Sequence, residues 1–414
     1  MRKILPLLLP FAILLIYPLY SQKILERVLV INVEVPVRVY DGNKFVDNLT
    51  IKDFEVYEDG KPQKIEAVYL VKRNNIKRSE EKQKFFPKTS RNFFLLFEIT
   101  EYSPKLGEAI SYFIKNVLVP EDNLIIVTPM KTYKLKNQIL RVKSKEEVAN
   151  QLKGLLKRDI TLGNFEYKNL VKDLEGLAIS LSAAISSDES NRNLLISQMG
   201  GSTFSEYQEM PVGEQLMRYE NILRKLEKLR YIDQQKLLDI AEYLKKKEGQ
   251  KYVFLFYQRE FIPQIEPRIL NQYSSMFQDR PDILQALSHL FDFYRRDITF
   301  NIDTVKQAYA DSSVSIHFLF ITKPSKNIYG VRFQEQSEDI FNAFKEIANA
   351  TGGYIESSSN ALSSFKHALE ASENYYILYY FPKNYRKDGK FKKIEVKVKH
   401  KGYRVIHRFG YFAN

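Results

Sequence analysis

A chain of 414 residues, 44% hydrophobic and 27% charged, is long enough for two or three domains with sizeable cores, and its composition excludes a disordered protein. The absence of cysteine excludes disulfide support, thiolate metal ligands and cysteine nucleophiles. Net charge is +13, but Lys and Arg are interleaved with Glu along the chain, as in Lys77-Arg78-Ser79-Glu80-Glu81-Lys82, which reads as solvated surface and not as a polyanion stripe.

Arg2 and Lys3 precede an apolar run at 4–17, and small Ser21 follows. These are the three parts of a secretory signal peptide, with cleavage expected after Ser21. The run falls short of the roughly 20 residues that span a membrane and is interrupted by Pro6 and Pro10. The mature chain is therefore expected to have no transmembrane helix. It is expected in the periplasm or at the cell surface, associated with the cell envelope, and nucleic acid is not an expected partner.

Residues 22–71 read as a β segment. Val33, Val35, Val37 and Val39 alternate with polar residues and share one face, and Pro36 argues for an edge strand. Asp59-Gly60 is a hairpin turn. Residues 72–90, polar and without a period, read as a linker.

An α/β region is expected over 91–372. Strand, loop, helix and strand follow one another through 91–130, so the strand-end loop Glu98-Ile99-Thr100-Glu101-Tyr102-Ser103 is where a ligand is expected first. A strand is expected around 133–140, helices over 143–156 and 168–186, a loop over 187–213, and a helical insertion, a hairpin packed on the sheet, over about 204–247. Buried strands are expected at 252–257 and 314–321, with helices over 338–350 and 361–371. Strands return from 373 to 414, and period two puts Tyr376, Leu378 and Tyr380 on one face of the first of them, with Tyr375, Ile377 and Tyr379 on the other.

Three stretches carry a likeness to a known family. They are the leader 37–65, with Leu49, Asp53, Phe54, Val56, Glu58, Asp59, Gly60, Gln63 and Ile65; the core pieces 237–256 and 347–355; and the tail 375–412. Together they resemble the bacterial VWFA-related proteins, exported proteins built around a von Willebrand factor type A (VWA) domain. The resemblance implies a doubly wound, VWA-like (Rossmann-type), mostly parallel sheet with helices on both faces, flanked by a β-sandwich-like domain in which 373–414 packs with 22–71. It also implies a protein partner, and a divalent cation held by a D-x-S-x-S loop, a distant Thr and a later Asp, oxygen ligands that suit Mg²⁺ or Mn²⁺.

This chain departs from that ligand pattern. The first loop aligns as Glu98, Thr100 and Tyr102, with Ser103 next door; Thr161 lies near the place of the distant Thr; Tyr257 or Gln258 holds that of the Asp. The expectation is a non-enzymatic protein for protein–protein interaction or adhesion, with no bound metal and no cofactor, and with Glu98, Thr100, Glu101, Tyr102, Ser103, Thr161, Tyr257 and Gln258 as the partner-facing loop residues. The alternative is a metal-dependent adhesion module using Glu98, Thr100 and Ser103 in a shifted geometry. Neither a paired histidine motif nor a G-x-S-x-G elbow nor a phosphate-cradling loop is present, and Glu98 with Glu101 reads as a solvated pair, not an acid–base couple.

Overall fold

Alternation of valine with larger polar residues builds the first strand, β1 (Val33–Asp41), in the computed structural model of the protein. Residues 31–135, 139–185, 190, 193, 197, 206–207, 209–293, 298–383 and 385–414 are described. The expected signal peptide, 1–21, and most of 187–205 lie outside them. The fold below belongs to the unit Asn32–Asn414, and among the described residues no helix is long and apolar enough to cross a membrane.

After β1 come β2 (Lys44–Phe45), β3 (Phe54–Glu58), β4 (Lys61–Gln63), β5 (Ile65–Lys72) and β6 (Asn75–Glu81). The middle of the chain runs β7 (Arg91–Glu98), α1 (Pro104–Tyr112), β8 (Asn123–Val127), β9 (Thr132–Leu135), α2 (Ile139–Val142), α3 (Lys145–Gly163) and α4 (Phe165–Ile185). It continues with α5 (Val212–Leu229), α6 (Gln234–Lys245), β10 (Gln250–Gln258), β11 (Phe261–Ile265), α7 (Pro267–Met276), α8 (Pro281–Phe293) and α9 (Ile302–Asp311). Then follow β12 (Val314–Ile321), β13 (Val331–Glu335), α10 (Glu338–Ala350), β14 (Ile355–Ser358) and α11 (Ala361–Glu373). The chain closes with β15 (Asn374–Tyr380), β16 (Phe391–Val398), β17 (Arg404–His407) and β18 (Gly410–Phe412).

The expected fold class, a doubly wound VWA-like parallel sheet flanked by a β-sandwich-like domain, is corrected by the strand pairing. The protein is mixed α/β, and antiparallel pairings predominate: β17-β1-β15-β5-β6 with β2 on β1, β18-β16-β3-β4, and the ribbon β11-β13 are all antiparallel. Parallel pairing is confined to one sheet, β14-β12-β10-β7-β8-β9, and that sheet is itself mixed, because β9 returns antiparallel to β8. The reason is local. Only a tight turn separates β8 from β9, closed by the Thr128 N–H donating to the Lys131 carbonyl at 2.9 Å, and a parallel partner would need a crossover of a dozen residues or more.

Two further expectations change. Residues 72–90 contain β6, paired with β5. β1 is an interior strand flanked by β15 and β17; Pro36 is tolerated because pairing with β17 starts only at Val37.

The mixed sheet buries both faces. Phe93, Leu95, Phe97, Phe254 and Phe256 pack under α1, α3 and α11; Phe94, Val253, Val314 and Ile316 pack under α6, α9 and α10. Each such side chain contributes roughly 1.5–3 kcal/mol by leaving water. The helical insertion divides between cores. α5 joins α4, α7, α8 and the β11-β13 ribbon, whereas α6 covers the mixed sheet, so the two do not form one hairpin on one surface.

Buried polar contacts join the antiparallel sheets to the mixed sheet. Arg408, between β17 and β18, donates to the carbonyls of Glu34 (2.7 Å) and Ala310 (3.3 Å). The two parts approach closely at Gly352, whose backbone is in the left-handed region (φ +67°) and where a Cβ would lie 3.0 Å from the His407 carbonyl carbon. Beside it, fully buried His317 accepts the Tyr354 N–H at Nδ1 (3.1 Å), and its Nε2 lies 2.8 Å from Ser372 Oγ, which donates to the Ala368 carbonyl. That chain of donors requires a neutral ring with the proton on Nε2.

Burial, and secondarily the charge of Arg38, hold His317 well below its ordinary pKa. The unfolded chain therefore takes up a proton that the folded chain refuses. Stability is full above about pH 6.5 and falls as pH drops below it, by up to about 1.4 kcal/mol per pH unit for this one proton. His407, lowered by burial, acts in the same direction. We expect the urea midpoint of the wild type to fall between about pH 7.5 and about pH 5.5, and His317→Gln to start lower at neutral pH and fall less steeply; equal slopes would remove His317 from this account.

Candidate functional site

β7 and β10 run side by side with Glu98 opposite Tyr257, so both strands deliver their last residues to the same edge of the mixed sheet. β7 is apolar to Phe97 and stops at a polar loop; Ser103 then caps α1, its Oγ accepting the Leu106 N–H (3.3 Å), with Pro104 at the first helical position. Tyr102 lies half-buried over α1, where Gly107 leaves room for its ring: a Cβ there would sit 2.2 Å from the phenol oxygen.

The loop is held by Gln258. Its Oε1 accepts from the Thr100 N–H (3.0 Å), the Thr100 hydroxyl (3.0 Å) and the Glu101 N–H (2.9 Å), and both Thr100 and Gln258 are buried. On the far side Asn164, between α3 and α4, donates to the carbonyls of Ile99 (2.9 Å) and Ile160 (2.8 Å). Exposed Glu101 is paired with Lys323 across the sheet edge at 3.2 Å. Thr161 does not join the loop: it lies exposed on α3 with its hydroxyl donating to the Lys157 carbonyl (2.8 Å).

Glu98 is exposed at the end of β7, and partial desolvation by the neighbouring protein, with the charge of Glu260 second, raises its pKa. Glu260 is matched by Arg230, just beyond α5, at 2.7 Å, both nearly buried, and the same carboxylate, after burial itself, raises the Tyr167 phenol on α4. Tyr257 stacks on Phe320 with ring centroids 6.1 Å apart. Sequence reasoning brought Glu98, Thr100, Glu101, Tyr102, Ser103, Tyr257 and Gln258 to one edge and missed Asn164, Tyr167, Arg230, Glu260 and Lys323. The one available signal was Arg230, which breaks the apolar 3–4 spacing of α5 at the helix's C-cap.

These groups do not fit a divalent cation. Thr100 presents its proton, not a free lone pair, toward Gln258; Ser103 Oγ caps a helix; and the amide oxygen of Gln258 gathers N–H and O–H donors where a metal would require converging oxygens. Among the described residues no group of three or more His, Asp or Glu is placed to hold a metal ion.

An apolar surface adjoins the loop. Met130, Leu162 and Phe165 are 45%, 54% and 65% exposed, and Gly163 brings the turn after β8 against the end of α3, since a Cβ on it would lie 3.0 Å from Met130 Cγ. Asn164 stands between Gly163 and Phe165 and ties this surface to the loop.

No family model matches the chain, and no curated protein matches it. Among solved structures the chain is similar to the human COPII-coat protein Sec24c, at 7% identity and a TM-score of 0.29, over 80% of this chain and 44% of that one. The chain thus spans less than half of that protein, and so weak a likeness carries no argument.

Replacing Gln258 with Leu keeps the bulk and removes the acceptor, leaving buried N–H groups of the loop without partners at about 1–3 kcal/mol each. The expected result is a lower urea midpoint and faster hydrogen exchange at the Thr100 and Glu101 amides, with the α1 amides unchanged. Exchange that stayed as slow as in the wild type would show that other contacts hold the loop.

Proposed function

We propose that this chain is a non-enzymatic binding protein of the cell envelope. It presents the strand-end loop and the adjoining Met130, Leu162 and Phe165 surface to a protein partner, without a bound cation. The apolar surface carries the reading. Single exposed apolar residues are ordinary, but several brought together beside a polar loop have the make-up of a protein-contact site.

The loop supports the same reading. Gln258 and Asn164 hold its backbone in place before any partner arrives, which lowers the ordering cost of association. Glu98 places a negative charge on the rim, and a basic side chain of the partner placed near it would relieve its mutual repulsion with Glu260. The envelope location rests on the N-terminal segment 1–21.

Pull-down from envelope extracts tests the surface. The partner recovered with wild-type protein is expected to be lost with Leu162→Asp/Phe165→Asp and kept with Phe86→Asp, a control at another exposed phenylalanine, 77% accessible. Retention by both variants, or loss with the control alone, refutes the assignment. Calorimetric titration with Mg²⁺ and with Mn²⁺ is expected to give no saturable heat; micromolar binding abolished by Glu98→Ala would restore the cation-dependent alternative.

A further inference from the structure

A cleft of about 530 Å³ opens away from the strand-end loop, where β1 and β17 meet the β14 and α11 side of the mixed sheet; Arg38, Tyr40, Tyr354, His367, Glu370 and Arg404 are among its lining residues. Its volume is in the range of small-molecule sites.

Arg38 reaches this cleft from β1 and is 5% exposed. Its Nη1 donates to the Gly352 carbonyl and its Nη2 to Ser315 Oγ at 3.0 Å, while Nε has no hydrogen-bond partner among the described residues. Both acceptors are neutral. Buried arginines are ordinarily matched by a carboxylate, so the hydrogen bonds fix the guanidinium without neutralising it.

A second guanidinium adds to the same field. Arg404, opposite Tyr40 in the β1-β17 ladder, lies over the Tyr40 ring at 4.9 Å. Tyr40 is raised by its burial, and the charges of both arginines oppose that rise, so both fields converge on one wall of the cleft. Among the described residues Glu370 is the single acidic one lining the cleft, and it stands exposed. The neighbouring carboxylate, Glu356, is occupied by the Tyr354 hydroxyl (2.8 Å), His367 Nδ1 (3.0 Å) and Ser364 Oγ (3.2 Å).

We propose that this cleft binds a small organic oxyanion, a phosphate or a carboxylate borne on a ring. Arg404, held flat by Tyr40, supplies the planar donor fork; Arg38 supplies a fixed positive field from within; and Tyr40, Tyr354 and Phe45 supply aromatic walls for the ring.

Calorimetric titration of the full chain with phenyl phosphate and with benzoate tests this, with benzyl alcohol as the neutral control. At least one anion is expected to bind with Kd below about 1 mM, and which of the two binds more tightly tells phosphate from carboxylate. Arg404→Ala is expected to weaken binding at least about tenfold and Glu370→Gln to strengthen it; both residues are exposed, so circular dichroism should show an unchanged fold. Absence of saturation by either anion up to about 10 mM, binding unaltered by Arg404→Ala, or equal binding of benzyl alcohol would each overturn the proposal.

Discussion

The position of β15 between β1 and β5 is the constraint on which the rest of the protein depends. Both faces of this strand are buried, Tyr376, Leu378 and Tyr380 in one core and Tyr375, Ile377 and Tyr379 in another. The tyrosine hydroxyls fix the register: Tyr376 donates to the Val46 carbonyl (2.9 Å) and Tyr380 to Glu58 (2.7 Å). Segments from opposite ends of the chain are thereby made neighbours, and everything between β6 and α11 must leave and return within a fixed distance. Closing so long a connection adds little entropy cost beyond that of a shorter one, while the apolar area it buries is large.

Closure of the chain also creates the seam. Because β1 and β17 lie against α10, α11 and β14, Arg38 and Arg408 are carried into the interior and find main-chain carbonyls there. Gly352 allows the His407 backbone to approach, and His317 accepts the Tyr354 N–H nearby. The anion cleft is the place where this seam is incompletely filled. It is built from residues distant in sequence, Tyr40 and Arg404 from strands at the two ends of the chain and His367 from α11, so no local motif announces it.

The strand-end loop was more legible. Its place follows from an apolar strand that stops at Glu98, and Ser103-Pro104 marks the start of α1 by helix-capping chemistry alone. What escaped notice was the use of Gln258. The resemblance offered either Tyr257 or Gln258 for the place of an aspartate; in the folded protein the Gln258 amide oxygen collects three donors and holds the loop. The role depends on parallel pairing between β7 and β10, which local pattern does not specify.

Sequence by itself determined most of the long strands and helices and which of their faces are apolar, because period two and period 3.6 are properties of neighbouring residues, but not the polar strand β6, which has no such period. It likewise determined the lack of thiol chemistry and the polar character of the loop after β7. Tertiary structure alone decided how the strands pair: that β9 turns back on β8, that β17 and β18 join different sheets although adjacent in sequence, and that antiparallel sheets outnumber the mixed one. The physical reason is that a strand's hydrogen-bonding edges are alike in every sequence. Its neighbour is chosen by turn length and by the shared burial of side chains that meet only when the whole chain has closed.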